Sequence, residues 1–203
     1  MENRQDIDIK KVSVFCASSS HIDKVYLEEA EELGRLLALE GITVYTGGGS
    51  QGLMRSVADG VLSAGGNCVG VIPHFMVERE WLYKELTDVV KTNTMAERKD
   101  ILRDETDAVV VLAGGIGTLD ELFETLALKQ LGVYRKPIVI LNTSGYFDLL
   151  LSQMDLTVSE GFMQAENRDM WHIAQSPSKV LEALKNPTEW DGSKIKFDLG
   201  SGK

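Results

Sequence analysis

The run AVVVLA at 108–113 is continuously apolar, and the glycine-rich stretch GGIGT at 114–118 follows it at once. An apolar run with no polar alternation suits a strand covered on both faces. The segment from there to about 131 reads as helix. The same order of strand, small-residue loop and helix recurs along the chain. VSVFCAS (12–18) precedes a helix over 23–40, where Val25, Ala30, Leu33, Leu36 and Leu37 fall at helical spacing and Gly41 is the stop. ITVYT (42–46) leads through GGGSQG (47–52) to a helix over 53–64. CVGVI (68–72) ends at Pro73, DVVKT (88–92) precedes a helix over 94–106, and PIVIL (137–141) precedes one over 146–160. Pro177 opens a last helix over 177–185. Strands alternating with helices imply right-handed crossovers and a parallel sheet between two helical layers. The expected fold is therefore α/β, a Rossmann-like doubly wound parallel sheet in a single domain. Residues 1–10 read as a flexible leader, 11–185 as the folded domain and 186–203 as a tail.

Composition narrows the ligand. A chain of 203 residues can bury its own core without a metal or disulfide staple. The formal net charge of −10 argues against nucleic acid as a partner. A phosphate group could still bind, in a pocket lined by amides or local positive charge. Cys16 and Cys68 lie in strand-like runs and read as buried thiols, not as a disulfide framework. His21, His74 and His172 share no metal-ligand spacing, so no metal site is expected. MENRQDIDIKK lacks an apolar signal core, and no apolar run approaches the ~20 residues of a membrane span. These features predict a cytoplasmic protein with no membrane partner.

In open parallel sheets, ligands bind beyond the strand C-termini at the point where strand order reverses. Three loops built from small residues end strands here: ASSS (17–20), TGGGSQG (46–52) and AGGIGT (113–118). The first amides of a helix lack intrahelical partners and, with the helix dipole, attract anions. Glycines let those amides approach a phosphate closely. Ser18, Gly48, Gly49, Gly114, Gly115, Ile116, Gly117 and Thr118 are therefore candidate ligand contacts; plain strand–helix turns are the alternative. No GKS or GKT follows either glycine run, and neither has G-x-G-x-x-G spacing. A monophosphate fits this pattern better than a triphosphate or a dinucleotide.

Two charges look misplaced. Thr94 and Glu97 form a capping box, which puts Arg98 and Lys99 in the first turns of a helix. Cations there are disfavoured by ~0.3–1 kcal/mol each, so something anionic should offset them. Surface acids such as Asp100 or Glu105 would serve, as would a phosphate or polarised ligand held by the arginine fork. Thr118 and Glu121 form a second expected capping box. Glu121 then either caps its helix or meets the sugar attached to a bound phosphate, where a carboxylate can stabilise an anomeric cation and orient water.

With these residues in view, the chain resembles the LOG ("Lonely guy") family, cytokinin riboside 5′-monophosphate phosphoribohydrolases once mislabelled as lysine decarboxylases. Gly114, Gly115, Gly117, Thr118 and Glu121 match the family signature P-G-G-x-G-T-x-x-E, with Ala113 in place of the proline. Met95, Arg98 and Lys99 match its M-x-x-R-K run, and GGGSQGLM and FCASSS resemble further family segments. The similarity runs from about Lys11 to Met163. It implies hydrolysis of the N-glycosidic bond in N6-prenylated adenosine monophosphate, and often in AMP, to free base and ribose 5-phosphate. It implies Arg98 and Glu121 as the catalytic pair, with 114–118 on the phosphate. It implies Glu80 as a substrate contact, although a solvated acid is equally consistent with that position. Met95 could touch the base or simply pack. No metal or cofactor is implied, and the family is a homodimer or higher oligomer with active sites near the interface. Ala113 would soften the loop entry without removing an amide, and Ala96, where the family often has histidine, bears on base-side contacts.

The expected reaction passes through an oxocarbenium-like transition state. The fixed phosphate positions the ribose, Glu121 stabilises the cation and orients water or acts as nucleophile, and Arg98 engages the purine side. A non-hydrolytic nucleotide carrier or sensor on the same fold is the rival reading. A pyridoxal-phosphate decarboxylase finds no lysine in a convincing Schiff-base setting. Trp81, Trp171 and Trp190 are too scattered for a stacking platform, and Leu122 and Leu126 suit core or dimer surface.

Overall fold

In the computed structural model, which describes residues 8–187 and 190, the apolar run at 108–113 lies at the centre of the molecule. Its strand β5 (Ala108–Val111) is wholly buried. Six further strands join it: β1 (Lys11–Phe15), β2 (Thr43–Thr46), β3 (Cys68–Pro73), β4 (Asp88–Thr92), β6 (Ile138–Leu141) and β7 (His172–Ala174). They form one sheet in the order β4-β3-β2-β1-β5-β6-β7. Every pairing is parallel. The doubly wound Rossmann-like fold expected from the alternation is the fold observed.

Side-chain alternation divides the interior into two cores. Val12, Val14, Val110, Val139 and Leu141 face one layer, where they meet α1 (Lys24–Leu39), α2 (Gly52–Ser63) and α7 (Pro177–Lys185). Phe15, Val109, Val111, Ile138 and Ile140 face the other, with α4 (Met95–Asp104), α5 (Ile116–Gln130) and α6 (Asp148–Ser159). Leu122 and Leu126 belong to that second core. α1 and α2 cross backbone to backbone. A Cβ at Gly34 would overlap the carbonyl of Val57, and one at Gly60 the carbonyl of Glu31.

Besides two short 3-10 turns at Thr143–Gly145 and Ala165–Met170, one helix and one strand have no counterpart in the sequence reading. α3 (His74–Glu78) is a five-residue turn of helix directly after Pro73. β7 is a three-residue edge strand with two exposed positions, set by its register against Val139–Leu141 and not by any period of its own. Of the expected leader, residues 8–10 are described: Ile9 packs on the first core, and the amides of Lys10 and Lys11 donate to Asp107. Residues 1–7 and most of the expected tail lie outside the described residues; Trp190 packs against the second core. Among the described residues, no helix is long and apolar enough to cross a membrane.

The strand order places the reversal between β1 and β5, because the chain steps outward to β4 and returns beside β1. Ala17 joins the three small-residue loops at that point. Its amide donates to the Ala113 carbonyl, and its carbonyl accepts from Leu53.

Candidate active site

α5 begins at Ile116 behind Gly115, and no side chain caps it. The Leu119 amide makes the first intrahelical bond, to the Gly115 carbonyl. The amides of Ile116, Gly117 and Thr118 precede the first full turn and have no intrahelical acceptor. Gly115, Ile116 and Gly117 are exposed, Ile116 at 83%, so the protein's own side chains do not fill the cradle. Thr118 is buried with its hydroxyl where a Cβ on Gly114 would stand, which makes glycine obligatory there.

The capping box expected at 118–121 does not form. Gly115 takes the extended N-cap conformation itself (ψ −155), so the helix starts earlier and Thr118 falls inside its first turn. Glu121 is thereby released from capping. Its carboxylate turns inward and meets Arg98, with Nη1 donating to Oε1 at 2.5 Å. The two side chains are only 5% and 7% exposed.

Arg98 is delivered by α4. There Thr94 caps as expected, its Oγ1 accepting from the Glu97 amide, while the Glu97 carboxylate reaches one residue past the N-cap and accepts from the Asn93 amide. From the start of α4, Arg98 extends inward and is fixed on three sides. Nε donates to the Val71 carbonyl within β3 (3.0 Å), Nη1 holds Glu121, and Nη2 occupies the space a Cβ on Gly47 would fill. The surface pairing considered from sequence goes to Arg103, which takes Asp100 and Asp104. Lys99 does not stand free: it bridges Asp120 and Glu124 on α5.

Burial pushes the Glu121 carboxyl above its ordinary value, and the charge and hydrogen bond of Arg98 oppose that rise. Cys16, buried at the end of β1, has its thiol pushed up by burial and by Glu121. Burial raises Cys68 to about 12. Both cysteines are free, buried thiols.

The remaining candidates sit around this centre. Gly48 adopts φ +73, and its carbonyl accepts from the Tyr83 amide. Gly49 bridges Leu82, and the Ser50 amide donates to the Trp81 carbonyl. These bonds tie the segment holding Glu80 to the glycine loop. Glu80 is exposed and left-handed (φ 60), a conformation that costs a non-glycine residue ~1–2 kcal/mol. Met95 is exposed at the start of α4, and Ser18 is exposed in the loop that packs on Gly52. Two contributors were not singled out from sequence. Gly47 is one of three successive glycines that no spacing rule separates. Tyr146 lies 32 residues from its partner, the Gly114 carbonyl.

Comparison with known proteins places the chain among its relatives. The family model described as "Possible lysine decarboxylase" matches residues 54–184. A rice protein (Oryza sativa subsp. japonica) described as probable cytokinin riboside 5′-monophosphate phosphoribohydrolase LOGL2 is 39% identical, over 94% of this chain and 79% of that one. The Arabidopsis thaliana cytokinin riboside 5′-monophosphate phosphoribohydrolase LOG1 is 36% identical, over 87% of this chain and 83% of that one. Among solved structures, the molybdenum cofactor binding protein of Rippkaea orientalis superposes with a TM-score of 0.67 at 26% identity, covering 87% of this chain and 96% of that one. With its glycine loops, its Arg98–Glu121 pair and these matches along most of its length, the chain belongs to the LOG family.

Proposed function

We propose that this protein hydrolyses the N-glycosidic bond of adenosine 5′-monophosphate-type nucleotides, N6-prenylated cytokinin ribotides and AMP among them, to free base and ribose 5-phosphate. One observation carries the reading: a buried Arg98–Glu121 pair beside an unfilled helix N-terminus. The 5′-phosphate sits on the amides of 115–118, with Gly48, Gly49 and Ser18 closing the far side. Glu121 lies five positions on from Ile116, about 7.5 Å along the helix axis, which suits the reach from a 5′-phosphate across its ribose. With Oε1 taken by Arg98, Oε2 is the carboxylate oxygen left for the sugar.

In the reaction, the C1′–N9 bond breaks and its electron pair leaves on N9. Glu121 stabilises the cation at C1′ and orients the water whose oxygen bonds to that carbon. The proton shed by water balances the charge gained by the departing purine. Arg98 opposes the rise that burial imposes on the Glu121 carboxyl and offers positive charge to the leaving side. Binding energy from the phosphate, remote from the reacting bond, holds the sugar in place. Glu80, Met95 and Lys99 line the approach on the base side. We propose that the enzyme works in the cytoplasm as a homodimer or higher oligomer. Leu149 and Leu156, seven residues apart on one face of α6, and nearby Phe162 are exposed and suit a contact with a second copy.

A carrier that binds a nucleotide without cleaving it is the second reading, favoured by the likeness to the molybdenum cofactor binding protein. The higher identity to the phosphoribohydrolases and the Arg98–Glu121 pair support hydrolysis instead. A decarboxylase would need a neutral amine for its Schiff base. Burial alone would lower the pKa of Lys99, but hydrogen bonds to Asp120 and Glu124 outweigh it and hold the ammonium above its usual range. Incubation with AMP, isopentenyl-AMP, CMP and GMP, read by chromatography, tests the assignment. Free adenine or isopentenyladenine is expected. Tight binding with no base released over hours would select the carrier.

A further inference from the structure

The turn after β6 is strained and unusually well tied. Ser144 (φ 52) and Gly145 (φ 72) are both left-handed. Non-glycine residues hold that conformation only where surrounding contacts enforce it. Here, Asn142 accepts from the Phe147 amide through Oδ1 (2.8 Å) and donates to Asp148 through Nδ2 (2.7 Å). Thr143 donates to Glu29 on α1. The residue this turn delivers is Tyr146. Its ring packs edge-on against Tyr26 (5.9 Å between centroids) and Phe147 (5.0 Å). Its hydroxyl donates to the Gly114 carbonyl at 2.7 Å.

That bond acts on one peptide plane. Carbonyl and amide of a trans peptide point in opposite directions. Holding the Gly114 carbonyl against Tyr146 therefore turns the Gly115 amide to the other side, toward the open N-terminus of α5. Gly114, Gly115 and Gly117 leave this loop with little conformational preference of its own, and Ala113 gives it no proline to stiffen the entry. We propose that Tyr146 is a positioning residue for the phosphate cradle: its hydroxyl, held by the left-handed turn after β6, orients the Gly114–Gly115 peptide so that the Gly115 amide meets the 5′-phosphate. The proposal rests on the phosphate-binding reading of that loop and adds to it a residue from a different strand end.

Tyr146→Phe removes the hydroxyl and keeps the ring contacts with Tyr26 and Phe147. Steady-state kinetics with AMP and calorimetric binding of ribose 5-phosphate and inorganic phosphate would be compared with the wild type, alongside thermal midpoints. KM for AMP and Kd for ribose 5-phosphate are expected to rise about tenfold, with kcat within twofold and the midpoint unmoved. Unchanged KM and Kd overturn the proposal. So does a fall in kcat and midpoint with KM unchanged, which would mean a packing role only. A wild type that binds none of the three ligands overturns the phosphate reading itself, and the proposal with it.

Discussion

Gly47→Ala places a methyl group where Nη2 of Arg98 now lies, inside van der Waals contact. The arginine cannot slide freely away, because Nε is held by the Val71 carbonyl and Nη1 by Glu121. The guanidinium must withdraw by about 1 Å, and misplacement on that scale costs ~100-fold in rate. Separating a buried pair also leaves each charge uncompensated, a loss of ~3–5 kcal/mol when complete. We expect kcat/KM for AMP to fall about 100-fold, with a lower thermal midpoint. A double-mutant cycle locates the cause. Because the methyl acts through Arg98, Gly47→Ala combined with Arg98→Met should be no less active than Arg98→Met alone. Wild-type turnover in Gly47→Ala, or losses that multiply in the double variant, would refute the steric link between the two loops.

Three further outcomes follow from the same structure. Burial raises the Glu121 carboxyl and Arg98 restrains the rise; if the carboxylate is the active form, activity is lost as pH falls through this raised value. The acidic limb of kcat/KM should therefore lie above the ordinary glutamate value of ~4.3, and Arg98→Met should move the residual limb higher still; a limb at or below that value contradicts the assignment. Lys129 is buried at the end of α5, and burial lowers it to about 8. The unfolded chain then holds its proton to a higher pH, so stability should rise between about pH 8 and pH 10, by up to ~2–3 kcal/mol. Denaturant unfolding of Lys129→Met should lose that rise and gain stability at pH 7. Gly60→Ala drives a methyl into the Glu31 carbonyl on α1, and overpacking of this kind costs ~1–3 kcal/mol. Its thermal midpoint should drop by several degrees, while KM for AMP stays within twofold.

Much of the fold was legible in the chain because its strands are central and apolar. Runs such as AVVVLA and PIVIL carry burial on both faces in their composition, and turn residues bound them. β7 was not legible: three residues, two of them exposed, hold their place only through pairing with β6. The start of α5 was displaced for a different reason. Thr118 and Glu121 satisfy a capping pattern, but Gly115 can take the N-cap geometry with no side chain, and a buried arginine competes for the carboxylate. Arg98 itself was visible as a cation at the wrong end of a helix. Its pairing with Glu121, 23 residues on, was implied only by the family resemblance and by no spacing rule, because the crossover from β4 back to β5 is what brings the two together. Gly47 and Tyr146 escaped for the same reason: each acts on a residue distant in the chain.

Glu121→Gln is the substitution that reaches the mechanism most directly. It keeps the shape of the side chain and an oxygen for Arg98, and it removes the negative charge that the sugar cation requires. Purified variant and wild type would be incubated with AMP and isopentenyl-AMP, scoring released base by chromatography and nucleotide affinity by calorimetry. Affinity within a few-fold of wild type, with base release down by at least ~100-fold, is the predicted result; release at the wild-type rate would remove Glu121 from the chemistry.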